Sequence, residues 1–379
     1  MHILIAPNAF KGSLTAKQAS ECIENGLRQS KLKFTCDQFP IADGGDGTGS
    51  LLIEKLGGTI VQVKVHDPLG REIQSSFGLI DNGKTAVIEM ADASGIRLLT
   101  TRELNPLKVN TFGTGELIKA ALDKGVTKII IALGGSATVD GGAGILAALG
   151  IRFLDSGNKV LEATPANLVN LADIDVSGID QRVLTCELIV LCDVENKLTG
   201  NNGAASVFGP QKGASPEDVK VLDSVLLKMA YLASHITGKD MNAVVHGGAA
   251  GGTAAGLYAF FNTRLEKGAD YFLELTGFAE RLEKADVVIT GEGSIDEQTL
   301  SGKGPFAVAF MAKAKEIPVI GLAGKVPSEI CPKLKEYFDV LLPIGNGPVE
   351  LDTAIKLTVD NLKRTAGEVG SMLAITRIT

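Results

Sequence analysis

Short apolar runs recur along this chain, each followed by a cluster of glycine and small polar residues and then by an amphipathic stretch. "HILIA" leads into "PNAFKGS", and a helix is expected from a Ser13 or Thr15 cap to about Ser30. "FTCDQFPI" leads into "ADGGDGT", with a helix from about Thr48, and "TIVQVKV" follows. Such alternation predicts parallel strands joined by crossover helices. Farther on, "REIQSSFGLID" and "KTAVIEMA" read as a hairpin about the turn "DNGK". Strand and helix return at "GELIKAALDKG", "KIIIALGG", "CELIVLCDV" and the long amphipathic stretch from Pro216 to Thr237, and clean alternation resumes at "ADVVITGEG", "VIGLAGK" and "DVLLPIG".

The two ends of the chain resemble each other more than either resembles the middle. The pattern predicts an α/β protein of two domains, a discontinuous one formed by 1–66 plus 286–379 and an inserted α/β domain at 67–285. Two sequential domains are the alternative reading of the same pattern. A length of 379 residues is long for a single core and agrees with two. The tail after about residue 345 carries no motif.

Composition narrows the class. With 45% hydrophobic and 21% charged residues the chain can bury a large core, and 45 glycines against 5% aromatics suit an α/β enzyme with many tight turns. A net charge of −7 offers no basic footprint, so nucleic acid is not an expected partner. The five cysteines are odd in number and contain no C-x-x-C, which argues against a disulfide framework or zinc ribbon and for a reducing compartment. Cys36, Cys186 and Cys192 lie in or beside strand-like runs and are expected to be buried small residues. "MHILIAPNAF" reads as a first strand and not a signal peptide. No apolar run approaches the ~20 residues of a membrane span.

Polar residues gather at the expected strand ends, where open α/β sheets bind ligands. The stretch "GGSATVDGGAG" after "KIIIAL" would bring backbone N–H groups near an anion, and a phosphate is the obvious candidate. It is no P-loop, because G-x-x-x-x-G-K-[ST] occurs nowhere in the chain, and tight-turn glycines are the plainer alternative. Asp43, Asp46, Asp140, Asp193, Glu292 and Asp296 lie in such loops, where a carboxylate either caps a helix or holds a cation or a reacting proton. Lys11 follows the first strand, placed to reach a transferring phosphoryl group or simply to be solvated. Arg71, Lys108 and Lys212 lie in Gly/Pro turns and could hold a small carboxylate. No G-x-S-x-G occurs, and none of the four histidines sits in a catalytic signature.

Taken in order, "IAPNAFKGSLTA", "ADGGDGT", "NPLKVNTFGTGELI", "GGSATVDGGAG", "CDVENKLTG", "VFGPQKGA", "GGAAGG" and "VITGEGSIDEQT" closely resemble the bacterial glycerate kinase family, from the first strand to at least "LAGK". The resemblance implies ATP-dependent phosphorylation of D-glycerate with Mg²⁺ in the cytoplasm, giving 2-phosphoglycerate. It implies two α/β domains, one of them flavodoxin-like and built from both chain ends, with the active site in the cleft between them. A homo-oligomer is left open. On this reading Lys11 stabilises the transferring phosphoryl group. Backbone N–H groups of Gly134, Gly135 and Ser136 and of Gly141, Gly142 and Gly144 cradle the nucleotide, and Thr138 adds a hydroxyl. Asp193 is the first choice for the base acting on the glycerate hydroxyl and Asp296 the second. Asp43, Asp46 and Glu292 are candidate Mg²⁺ or glycerate contacts, and Arg71 and Lys108 the candidates for the glycerate carboxylate. A nicotinamide-dependent hydroxy-acid dehydrogenase and a non-catalytic sensor of a small acid are the competing classes. The first needs a G-x-G-x-x-G directly after a strand, and the second has no use for Lys11 and the acids together.

Overall fold

The computed structural model describes residues 1–375, so positions 376–379 of the expected 286–379 segment lie outside the described residues. In chain order its strands are β1 (His2–Ile5), β2 (Thr35–Gln38), β3 (Thr59–His66), β4 (Glu72–Ile80), β5 (Thr85–Glu89), β6 (Lys128–Ala132), β7 (Arg152–Leu154), β8 (Asp173–Asp175), β9 (Glu187–Cys192), β10 (Thr263–Lys267), β11 (Val287–Ser294), β12 (Val319–Lys325) and β13 (Val340–Pro343). They fall into two compact units, one formed by Met1–Asp43 with the chain from Ala269 onward, the other by Gly44–Gly268.

In the first unit the strand order is β13-β12-β11-β1-β2, and every neighbouring pair is parallel. Counted within the unit this is the 2-1-3-4-5 order of flavodoxin-like sheets. Thr15, rather than Ser13, opens the helix Ala16–Leu27 with a reciprocal capping box to Gln18. Ala19, Ile23 and Leu27 of that helix join Ile3 and Ile5 of β1 in one core. The tail, silent in the sequence, forms the helix Thr358–Ile375, which adds Leu362, Ala366 and Val369 to the same core. The two helices meet at Gly26, where a Cβ would stand 2.3 Å from the Lys363 carbonyl oxygen.

The second unit carries a six-stranded sheet of order β10-β9-β6-β5-β4-β3 and a small antiparallel β7-β8 pair. From β10 to β5 the ladder is parallel, whereas β4 and β3 are antiparallel. The parallel pairing expected of residues 59–65 is therefore not observed: β3 runs beside β4 from Thr59 opposite Leu79 to His66 opposite Glu72. Alternation of strand and helix cannot distinguish the two ladders, and the short turn after β3 permits the antiparallel one. The units divide at 43/44 and 268/269, where alternation suggests 66/67 and 285/286. The helix Pro216–Thr237 spans the expected residues, opened by a Ser215–Asp218 capping box and closed by left-handed Gly238.

All five cysteines are free; Cys186 and Cys192 are buried as expected, while Cys36 is only half-buried. No helix of the described residues is long and apolar enough to cross a membrane.

Candidate active site

The order of the first sheet reverses between β1 and β11, and ligands of doubly wound folds bind past the carboxyl ends of strands at such a reversal. Asn8, just after β1, is fastened to β11 by its N–H on the Gly291 carbonyl at 2.8 Å. Its side-chain amide donates to Asp43 Oδ2 at 2.8 Å. Glu292, on β11, accepts from Thr299 Oγ1 at 3.0 Å, and the same hydroxyl accepts from the Asp296 N–H at 3.1 Å. Asn8, Asp43 and Glu292 are only 6%, 7% and 7% exposed. Burial pushes the Glu292 carboxyl up to about 7; the Asp43 charge adds to the rise, while the ammonium groups of Lys303 and Lys11 oppose it. The structure thus gathers Asp43, Glu292 and Lys11 and links Asp296 to them through Thr299. Asn8, Thr299 and Lys303 are additions that single-motif reading did not pick out.

In the second unit β6 ends in the glycine loop. A Cβ on Gly134 would stand 2.5 Å from Gly45 backbone, so only glycine fits there, and its N–H donates to the Gly44 carbonyl at 3.2 Å. The Gly135 carbonyl accepts from Ile96 N–H at 2.8 Å, and Ala137 N–H donates to the Ser94 carbonyl at 2.9 Å. The far half of the loop differs from expectation. Gly141 N–H donates to the Gly251 carbonyl at 3.0 Å, and the N–H groups of Gly142 and Gly144 donate to the Asp140 carboxylate, each at 3.1 Å. Those three groups, expected on a phosphate, are engaged by the protein itself. Asp140, fully buried, also accepts from Thr111 N–H at 2.9 Å and Thr111 Oγ1 at 2.8 Å. Burial raises the proton affinity of Asp140, and its donors work against that rise. Within the loop, the N–H groups of Gly135 and Ser136 are left without a partner among the described residues.

Beneath this loop lies Lys212, only 3% exposed, whose Nζ donates to Ser136 Oγ at 2.8 Å and to the Thr138 carbonyl at 2.7 Å. Burial brings its ammonium down to about 7, and Asp140 opposes the change. The Thr138 hydroxyl, expected to face a nucleotide, is buried and has no hydrogen-bond partner among the described residues. Ala250, Gly251 and Gly252 follow one another in the left-handed region, with φ of 51°, 68° and 91°. A Cβ on Gly251 would lie 2.1 Å from the Thr138 carbonyl oxygen, so the "GGAAGG" segment is built to press on the loop.

The remaining expected residues scatter. Asp46 belongs to the second unit and pairs with Arg97 at 2.6 Å, and Arg97 also pairs with Asp92. Burial and the neighbouring Glu89 charge push Asp92 up to about 6. Asp193 lies half-buried just past β9. Arg71 is held by Asp67 at 2.5 Å, by Glu103 at 2.7 Å and by the Leu98 carbonyl at 3.2 Å, whereas Lys108 is exposed. Among the described residues no group of three or more His, Cys, Asp or Glu is placed to hold a metal ion.

Residues 3–374 match the model of the glycerate kinase family. The chain belongs to that family. It is 42% identical to the glycerate kinase of Bacillus subtilis over 100% of this chain and 99% of that protein, and 39% identical to the glycerate 2-kinase of Escherichia coli over 99% and 98%. A crystal structure of a protein provisionally named glycerate kinase 2, from Salmonella typhimurium LT2, superposes with a TM-score of 0.84 at 41% identity, covering 100% of both chains. Family membership selects the kinase class over the dehydrogenase and the sensor. In this glycerate kinase family member the acidic pair and the glycine loop both lie at or just past the carboxyl ends of strands.

Proposed function

We propose that this chain transfers the γ-phosphoryl group of ATP to D-glycerate, giving 2-phosphoglycerate, as an enzyme of the cytoplasm. The observation that carries the reading is the family match over residues 3–374, with the relative named glycerate 2-kinase favouring the 2-position. The geometry of each unit supports the division of labour. Asp43 and Glu292 offer hard oxygen donors at 7% exposure each, and their like charges are best reconciled by a cation. Mg²⁺ takes one or two carboxylates with substrate phosphates and waters, so this pair fits it; bound there it would offset phosphate charge. Asp46, tied to Arg97, is the weakest of the three expected ligands.

Lys11 then stabilises charge on the transferring phosphoryl group. Gly135 and Ser136 supply backbone N–H groups to the nucleotide, the remaining glycines shaping the loop. Asp193 orients the glycerate hydroxyl and takes its proton as the oxygen forms a bond to phosphorus and the bond to the ADP oxygen breaks. Asp296 is the alternative base. For the glycerate carboxylate Lys108 is the stronger candidate, since Arg71 is already held on three sides. The test is incubation with ATP, Mg²⁺ and D-glycerate, following ADP release and the phosphorus NMR of the product. ADP with a secondary phosphate ester is expected. A primary ester moves the reaction to the 3-position, and absence of ADP overturns the proposal.

A further inference from the structure

The geometry points to Lys212 as a positioning residue for the nucleotide phosphates, its buried ammonium holding the Ser136–Thr138 segment of the glycine loop in place and lending it positive charge. The inference rests on the reading of that loop as the nucleotide site. Four observations carry it. First, Lys212 sits at the end of a tight turn, Pro210–Lys212, which left-handed Gly213 closes against the Leu104 carbonyl; a Cβ there would stand 2.4 Å from that oxygen, so the turn is fixed in place. Second, its Nζ reaches two atoms two residues apart on the loop, Ser136 Oγ at 2.8 Å and the Thr138 carbonyl at 2.7 Å, tying the segment from one side.

Third, the loop has no positive charge of its own to offer an anion, its one ionisable side chain being the carboxylate of Asp140. The N–H groups of Gly141, Gly142 and Gly144 are engaged by Gly251 and Asp140, and the ionisable group acting on Lys212 is the carboxylate of Asp140. A cation directly behind Ser136 is what turns the two uncommitted N–H groups of Gly135 and Ser136 into a phosphate site, because a charge in a water-poor setting acts strongly over a few ångströms. Fourth, the arrangement has no evident purpose as packing alone: burying an ammonium at 3% exposure is unfavourable, and a methionine of similar length would fill the space.

The depressed proton affinity of Lys212 makes the role titratable. Below about pH 7 the ammonium is intact, and above it an increasing share of the nucleotide-free protein holds a neutral amine. Phosphate binding should therefore weaken as pH rises through that value. It should also be accompanied by proton uptake, since a bound anion favours the ammonium.

The test compares wild type with Lys212→Met and Ser136→Ala. Calorimetric titration with Mg-ADP in the absence of glycerate, from pH 6 to 9 in buffers of different ionisation heat, gives affinity and proton uptake; steady-state kinetics gives KM for ATP and for D-glycerate. Lys212→Met should stay folded and bind ADP roughly tenfold or more weakly, with KM for ATP raised in step and KM for glycerate little changed. The wild-type pH dependence of ADP binding and its proton uptake should vanish in that variant. Ser136→Ala, which removes only one tether, should show a smaller loss of ADP affinity and keep the pH dependence. Unchanged ADP affinity in Lys212→Met, or a pH dependence that persists in it, overturns the inference. Should Lys212→Met fail to fold, the wild-type proton uptake and Ser136→Ala decide, and absence of both effects is equally fatal. Wild-type protein that neither binds ADP nor releases it would instead overturn the proposed kinase reading.

Discussion

The carboxyl edge of the first sheet and the glycine loop of the second are built on opposite principles. In the loop every buried charge is answered locally: Asp140 accepts from Thr111, Gly142 and Gly144, and Lys212 donates to Ser136 and the Thr138 carbonyl. At the edge, two carboxylates of like charge share a buried place, and Glu292 is pushed up to about 7 by burial with Asp43 adding to the rise. Asp43 accepts from Asn8 and Glu292 from Thr299, and Lys303 opposes the rise at Glu292, yet the glutamate still sits where a change of nearby charge changes its protonation. The difference separates a buried polar network whose charges are fixed by hydrogen bonds from an acidic pair whose protonation responds to nearby charge.

Substitutions that remove charge without changing shape test that separation most strongly. Glu292→Gln and Asp43→Asn should each lower kcat by roughly 10³-fold while leaving the thermal midpoint unchanged or higher, because they relieve repulsion in the free protein. Near-normal turnover in either would place the reacting charges elsewhere. Asp140→Ala should behave in the reverse sense, with a loss of about 3–5 kcal/mol in urea unfolding, because it strands the Thr111, Gly142 and Gly144 N–H groups in the core. If Asp140→Ala kept its stability and lost only activity, the loop network would belong to the chemistry and the contrast would collapse. Gly251→Ala is expected to cost at least about 1–3 kcal/mol, from its left-handed backbone and from the overlap of the new Cβ with the Thr138 carbonyl oxygen, together with a displaced loop seen as a higher KM for ATP.

Much of the fold is legible in the sequence. Apolar runs marked β9, β11 and β12, and the Ser215 cap with Gly238 bounded the helix Pro216–Thr237, because those signals are local. The strand-end rule also points to Asp43 and Glu292, both of them buried in the first unit. What escaped was decided at long range. Gly142 and Gly144 are in the loop as expected, but the carboxylate that claims their N–H groups is oriented by Thr111, 29 residues before it. Lys212 meets Ser136 across 76 residues of chain, and "GPQKG" by itself reads as a Gly/Pro turn whose lysine could hold a small carboxylate. The tail helix Thr358–Ile375 has no motif, yet Leu362, Ala366 and Val369 recur at helical spacing, a signal available to anyone counting periods rather than seeking loops.

The smallest expected effect concerns Arg71 and is informative for that reason. Its position in "DPLGR" suggested a carboxylate-binding arginine, but Nε faces Asp67 at 2.5 Å, Nη1 faces Glu103 at 2.7 Å and Nη2 donates to the Leu98 carbonyl. Asp67 is 2% exposed and also accepts from the Leu69 and Arg71 N–H groups, so the guanidinium completes a turn-stabilising cluster and not an open anion site. Arg71→Ala should leave KM for D-glycerate within about threefold and lower the thermal midpoint, because it takes the half-exposed counter-charge from the buried Asp67 carboxylate while leaving its two backbone donors. Lys108→Ala, on an exposed side chain, should leave the thermal midpoint unchanged and raise KM for D-glycerate by roughly tenfold. The reverse outcome, a large rise in KM for Arg71→Ala with stability intact, would mean that substrate displaces Asp67 or Glu103 from the guanidinium. The second unit would then also contain a charge cluster that opens to its ligand, and the contrast between fixed and responsive charge would run within that unit as well.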